Sequence, residues 1–176
     1  SRSASTRQLS ATDSKMMKNS HIILLDVGGT FVKSSLGIAG KGAVEGTFAS
    51  TPISSDGTAE EIAASFREAV SGQMERAEAE GISISTVSVV MPGPFDYKGN
   101  GVFLMKHKFA AVYGKTFREV LGDAITPETR LVFAHDVNGA LMGALMLYPE
   151  LGKGNVAIST LGTGLGFAHA IDGVVQ

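Results

Sequence analysis

The chain has 176 residues, 44% of them hydrophobic and 18% charged. That is the make-up of a globular protein long enough to bury its own core. Lys plus Arg is 15 and Asp plus Glu is 17, so the net charge is −2, which lacks the basic excess of a nucleic-acid or membrane surface. No cysteine is present, which excludes disulfides and cysteine-ligated zinc within these residues and fits a reducing, cytoplasmic setting. Residues 1–20 are rich in Ser and Thr and lack the apolar segment of a signal peptide. They read as a disordered tail, with Met17 a candidate natural start. No apolar run is long enough to span a bilayer.

Residues 21–27 form a continuous apolar run ending in Asp26 and a glycine pair, the mark of a buried strand entering a tight turn. Residues 31–38 read as a second strand and 43–49 as a third, giving an antiparallel meander. Residues 51–56 read as loop. A long helix is expected over 59–79. Ile62, Phe66, Ala69, Val70 and Met74 fall on one stripe, Glu60, Arg67, Glu68, Glu75 and Glu78 face water, and Gly81 ends the helix. A buried strand follows at 87–91, closed by Pro92-Gly93-Pro94. A glycine-rich excursion runs to about Tyr113, with a short helix near 115–121. Residues 131–134 form another strand, which leads into a helix over 137–147 that Tyr148-Pro149 breaks. Residues 155–160 and 165–170 read as a hairpin, and Asp172-Gly173 as the turn of another. The pattern predicts an α/β fold with a mixed five-stranded sheet and packed helices. Residues 21–150 form the first domain, and 151–176 the first hairpin of a truncated second, similar one.

Two hairpins share a design. Leu25-Asp26-Val27-Gly28-Gly29-Thr30 and Thr160-Leu161-Gly162-Thr163-Gly164-Leu165-Gly166 both run strand, glycine turn, strand. Glycine lets such a turn aim backbone N–H groups at a phosphate, and the Thr hydroxyl adds a donor. One glycine hairpin alone is most often just a turn. Two, each after an apolar strand, point to a clamp on a polyphosphate. Asp26 can serve Mg2+ directly or through water. Asp136 stands where a buried strand meets a helix, the place of catalytic groups in open α/β sheets. By position alone a helix cap is its commoner role, and Asn138 shares the ambiguity. Pro92-Gly93-Pro94 offers either backbone amides to a substrate or a plain turn. His107, between Lys106 and Lys108, reads as a solvated loop residue. No zinc spacing, Walker A motif or G-x-G-x-x-G string is present.

Taken together, the chain resembles the ROK family (repressors, open reading frames and sugar kinases) of the actin/hexokinase/Hsp70 superfamily. The resemblance runs from His21 to about Val175. Residues 25–30 look like its first phosphate motif, 90–96 its sugar-side loop, 135–140 its catalytic stretch and 158–166 its second phosphate motif. It implies a ribonuclease H-like, actin-type ATPase domain and ATP-dependent phosphorylation of a hexose or amino sugar with Mg2+. Asp136 would be the general base and Asp26 the metal's residue. Gly28, Gly29, Thr30, Gly162, Thr163 and Gly164 would hold the ATP phosphates. Gly93, His135 and Asn138 would lie near the sugar.

The chain departs from the pattern in placing His135 where the family usually has Asn before the catalytic Asp. The family's zinc loop and adenosine-binding part would fall beyond Gln176. The 176 residues alone are therefore expected to be inactive, and the open edge of the last hairpin to favour a homo-oligomer. Two other readings compete. One is a sugar-sensing ROK regulator, disfavoured because some twenty residues before the first strand are too few for a winged helix. The other is a hydantoinase- or oxoprolinase-like domain, disfavoured by the Pro-Gly-Pro loop and the stretch at 135–140.

Overall fold

Strand β1 (His21–Val27) lies at the centre of the first sheet in the computed structural model, which describes residues 21–161 and 164–176. The expected tail at 1–20, Gly162 and Thr163 lie outside the described residues. β1 pairs antiparallel with β2 (Phe31–Ile38) through a tight turn, with Val27 opposite Val32. On its other side it pairs parallel with β5 (Ile84–Met91), which pairs parallel with β6 (Arg130–His135).

The third strand expected at 43–49 is instead two short ones, β3 (Gly42–Ala43) and β4 (Ala49–Pro52), both on the outer edge of β2. The sheet thus has six strands rather than five, and the loop expected at 51–56 begins inside β4. The break has a local cause. Between the two strands the Leu36 amide donates to Thr47 Oγ1 at 3.1 Å, and that hydroxyl donates to the Val44 carbonyl at 2.7 Å. A buried side chain replaces one rung of the ladder. Pro52, which has no N–H to give, is tolerated because it lies on the sheet's edge.

Helix α1 (Ala59–Ala79) has the predicted bounds. Thr58 caps it in a reciprocal box with Glu61. At the other end Gly81, at φ 68°, closes a Schellman turn: Ile82 N–H donates to Ala77 O and Gly81 N–H to Glu78 O. Its stripe of Ile62, Phe66, Ala69 and Val70 covers the face of the sheet that carries Ile23, Leu25, Val87 and Val89. Phe66 meets Phe103, Phe109 and Phe117 with ring centroids 5.0–6.1 Å apart. Each such buried ring stabilises the fold by roughly 1.5–3 kcal/mol over its exposed state. Phe103 and Phe109 belong to the long excursion after β5, so that loop is anchored in the main core. Helix α2 (Phe117–Leu121) adds Phe117, Val120 and Leu121 to it.

Helix α3 (Asp136–Leu147) follows β6 without a break. Its Val137 and Leu141 form a second, smaller core with Ala168 and Ala170. Those two belong to a three-stranded sheet of β7 (Asn155–Leu161), β8 (Leu165–Ile171) and β9 (Val174–Val175). Helix α3 therefore buries its apolar stripe against the second sheet, and the last hairpin docks on it. Asp172 and Gly173, both at positive φ, make the tight β8–β9 turn. Among the described residues no helix is long and apolar enough to cross a membrane.

Candidate active site

Because β1, β5 and β6 are parallel, their C-terminal ends emerge on one side of the sheet. Each end carries one of the motifs singled out in the sequence: Gly28-Gly29 after β1, Pro92-Gly93 after β5, and His135-Asp136 where β6 becomes α3. All six of these residues line one cleft of about 560 Å³. Its opposite wall is the β7–β8 hairpin, through Thr160, Leu161, Gly164, Leu165 and Gly166. The two glycine hairpins thus face each other across a single space. This is the crevice at the carboxyl ends of strands where open α/β sheets bind ligands.

The Gly28 amide closes the first hairpin by donating to the Phe31 carbonyl at 2.9 Å. The amides of Gly29 and Thr30 have no backbone partner among the described residues, which leaves them for an anion. Two bonds hold the turn from behind, Ile53 N–H to Thr30 O and Ser55 N–H to Gly29 O.

Asp136 is the first residue of α3, and His135 rather than Asp136 occupies the cap position. Asp136 Oδ1 accepts from the Val137 amide at 2.7 Å and lies 2.9 Å from His135 Nδ1. Both contacts fall on one oxygen, leaving Oδ2 without a protein donor among the described residues. The His135 ring is held in turn by Tyr97, whose ring meets it edge-on at 5.7 Å. Burial, and then the negative charge of Asp136, push the Tyr97 phenol well above its ordinary value. It therefore remains a neutral donor, bonded to the Met91 carbonyl at 3.0 Å. Gly93 belongs to the same assembly: a Cβ there would sit 3.1 Å from the Tyr97 hydroxyl and 3.7 Å from the His135 ring. The Gly93–Pro94 peptide is cis.

Three candidate residues lie outside the cleft lining. Asp26 is exposed on the other face of the sheet, 3.5 Å from Lys33. Thr30 is exposed at the tip of the first turn, and Asn138 is half-buried two residues into α3 beyond Asp136. Gly162 and Thr163 fall outside the described residues. The sequence reading overlooked Lys108 and Tyr97, which join the site only through tertiary contacts. His107 lines a neighbouring cavity with Leu104 and Met105, not the cleft itself.

No known protein-family profile matches the chain, and no curated protein matches it by sequence. Solved structures do. A ROK hexokinase from Thermus thermophilus aligns over 89% of this chain and 48% of its own, at TM-score 0.66 and 25% identity. An inorganic polyphosphate/ATP-glucomannokinase from Arthrobacter sp. strain KM aligns over 89% and 60%, at TM-score 0.68 and 24% identity. A ROK family glucokinase from Streptomyces griseus, solved with glucose and AMPPNP, aligns over 89% and 46%, at TM-score 0.65 and 21% identity. The chain has the actin-like α/β fold of the ROK sugar kinases. It spans about half the length of the ROK hexokinase and the ROK glucokinase.

Proposed function

We propose that the chain forms the catalytic cleft of an ATP-dependent kinase that phosphorylates a hydroxyl of a hexose or amino sugar. The reading rests on one observation above the rest: Asp136 lines the same cleft as both glycine hairpins. A kinase needs a base beside the acceptor hydroxyl and amide donors around the phosphates. The oxygen of the sugar hydroxyl forms the new bond to the γ-phosphorus as the bond to the β,γ-bridging oxygen breaks. The hydroxyl proton passes to Asp136, and ADP leaves with the electron pair. The Gly28-Gly29-Thr30 turn and the turn holding Gly162, Thr163 and Gly164 embrace the phosphates. Gly93, His135 and Asn138 border the sugar.

Mg2+ supplies charge neutralisation on the phosphate oxygens when bound. It commonly keeps several waters and takes only one or two carboxylates. Among the described residues no group of three His, Cys, Asp or Glu is clustered for a metal. Asp26, the carboxylate expected to serve Mg2+, does not line the cleft and pairs with Lys33 instead.

The test is turnover by the full-length protein with ATP against a panel of hexoses and amino sugars, with Asp136→Asn alongside. The variant should lose about 10²–10⁴-fold in kcat, the usual contribution of a positioned base, with sugar affinity largely kept. Sugar binding without turnover by the full-length protein would favour the sensing role instead. Near-normal kcat in Asp136→Asn would remove Asp136 from the chemistry.

A further inference from the structure

Among the described residues lining the cleft, one carries a permanent positive charge: Lys108. Its side chain is solvent-exposed, but its backbone is fixed. The next residue, Phe109, is fully buried and sits at φ 54°, a left-handed conformation that costs energy for an aromatic residue. Its ring packs against Phe66 and Phe103 at 5.8 and 6.0 Å. The Phe109 amide donates to the Ser55 carbonyl at 2.7 Å, and the Ser55 amide donates to the Gly29 carbonyl at 3.3 Å. Two hydrogen bonds through one buried residue thus tie the lysine's loop to the first glycine turn. The side chain follows, since a Cβ on Gly29 would stand 3.5 Å from Lys108 Nζ. The nearby lysines are otherwise engaged. Lys33 pairs with Asp26, and Lys106 lies 5.8 Å over the Tyr113 ring. Among the described residues no carboxylate pairs with Lys108.

We propose that Lys108 is the cation that contacts the transferring phosphoryl group in this cleft. The assignment rests on the kinase reading and adds to it a residue of stated role. In phosphoryl transfer the charge spreads over three equatorial oxygens, and catalysis is mostly positioning and electrostatic stabilisation. An ammonium beside the first glycine turn supplies this as a point charge. Lys108 neither gives nor takes a proton in this step. The hydroxyl proton goes to Asp136, and the bond to ADP breaks with its electron pair on the leaving oxygen.

The experiment compares Lys108→Met, Lys108→Arg and, as control, Lys106→Met in the protein. Two readouts are taken: kcat/KM for ATP with an accepted sugar, and calorimetric binding of tripolyphosphate across a salt series. Lys108→Met should lower kcat/KM by about 10²-fold or more, the scale set by removing one such stabilising group. It should also weaken tripolyphosphate binding and flatten its salt dependence. Lys108→Arg should recover part of both, and Lys106→Met should match the unaltered protein. Unchanged kcat/KM and unchanged tripolyphosphate binding in Lys108→Met, with Asp136→Asn inactive, would overturn the assignment while leaving the kinase reading standing. If the full-length protein turns over no sugar, the kinase reading falls, and the binding arm alone decides. Loss of tripolyphosphate in Lys108→Met would then keep Lys108 as the anion contact, and unchanged binding would remove it.

Discussion

The hydroxyl of Tyr97 donates to the main-chain carbonyl of Met91 at 3.0 Å, six residues back along the chain. That bond folds the Pro92-Gly93-Pro94 loop onto the end of β5, and the same ring braces His135. Residues 92–97 are therefore a clip rather than a free loop, with Gly93 packed close under the Tyr97 hydroxyl.

The pH behaviour of Tyr97 follows from its surroundings. Its phenol is raised in the folded protein, first by burial and then by the charge of Asp136. Below the unfolded value, near 10, both states keep the proton. As pH climbs past it the unfolded chain ionises first, so stability falls until the folded phenol also titrates. At pH 7, Tyr97→Phe should cost about 1 kcal/mol for the lost hydrogen bond. Between pH 9 and about 11, however, its stability should decline less than that of the unaltered protein. Denaturant unfolding of both proteins across that range measures the difference, and parallel curves would contradict the burial of this hydroxyl.

Gln73 makes a separate test of the fold. It is buried on α1, and its Nε2 donates to Ser34 Oγ at 3.0 Å and to the Thr47 carbonyl at 2.9 Å. These bonds link the helix to β2 and to the residue that splits β3 from β4. Its Oε1 is buried with no partner among the described residues, so part of the cost of burying the amide is already present in the native protein. Gln73→Leu removes that orphan but strands the Ser34 hydroxyl and the Thr47 carbonyl. The second effect should win, lowering stability by about 1–3 kcal/mol. Urea titration should show a lower midpoint at an unchanged slope. A midpoint at or above that of the unaltered protein would mean that the orphaned oxygen outweighs both bonds.

Features with a local physical signal were legible in the sequence. The bounds of α1 follow from its apolar stripe and from Gly81, and the tight β8–β9 turn follows from Asp172-Gly173. The meeting of Gly28, Gly29, Gly93, Asp136 and Gly164 in one cleft follows from strand order, since each sits at the end of a strand. What was not legible depends on partners far along the chain. Nothing in residues 43–52 announces that Thr47 will take the Leu36 amide and cut one strand into two. The apolar face of α3 does not say which sheet it will cover. Lys108 looks like one charge among several in a polar loop. Only the bond from Phe109 to Ser55, residues more than fifty apart, brings it to the glycine turn.

Gly139 tests how tightly the site depends on the packing of α3. A Cβ at this position would stand 2.5 Å from Val90 Cγ1 and 3.2 Å from Val90 Cβ. On helix propensity alone, Gly→Ala inside a helix should stabilise by up to about 1 kcal/mol. The contact opposes that. Val90 cannot retreat readily, because its strand is in register with Asp26 on one side and Ala134 on the other. The helix must shift instead, and Asp136, one turn earlier on α3, must shift with it. Overpacking of this kind costs roughly 1–3 kcal/mol, so Gly139→Ala should be destabilised on balance. Its loss of function should be larger in proportion, since a displacement near 1 Å in a reacting group can cost about 10²-fold in rate. Gly143, one turn further along α3, has open space where a Cβ would go, with nothing within 4 Å. Gly143→Ala should therefore hold or raise stability and leave kcat/KM unchanged. Thermal unfolding and kcat/KM for the two variants side by side make the comparison. If Gly139→Ala were as stable and as active as Gly143→Ala, the close approach of α3 to β5 would have no part in positioning Asp136.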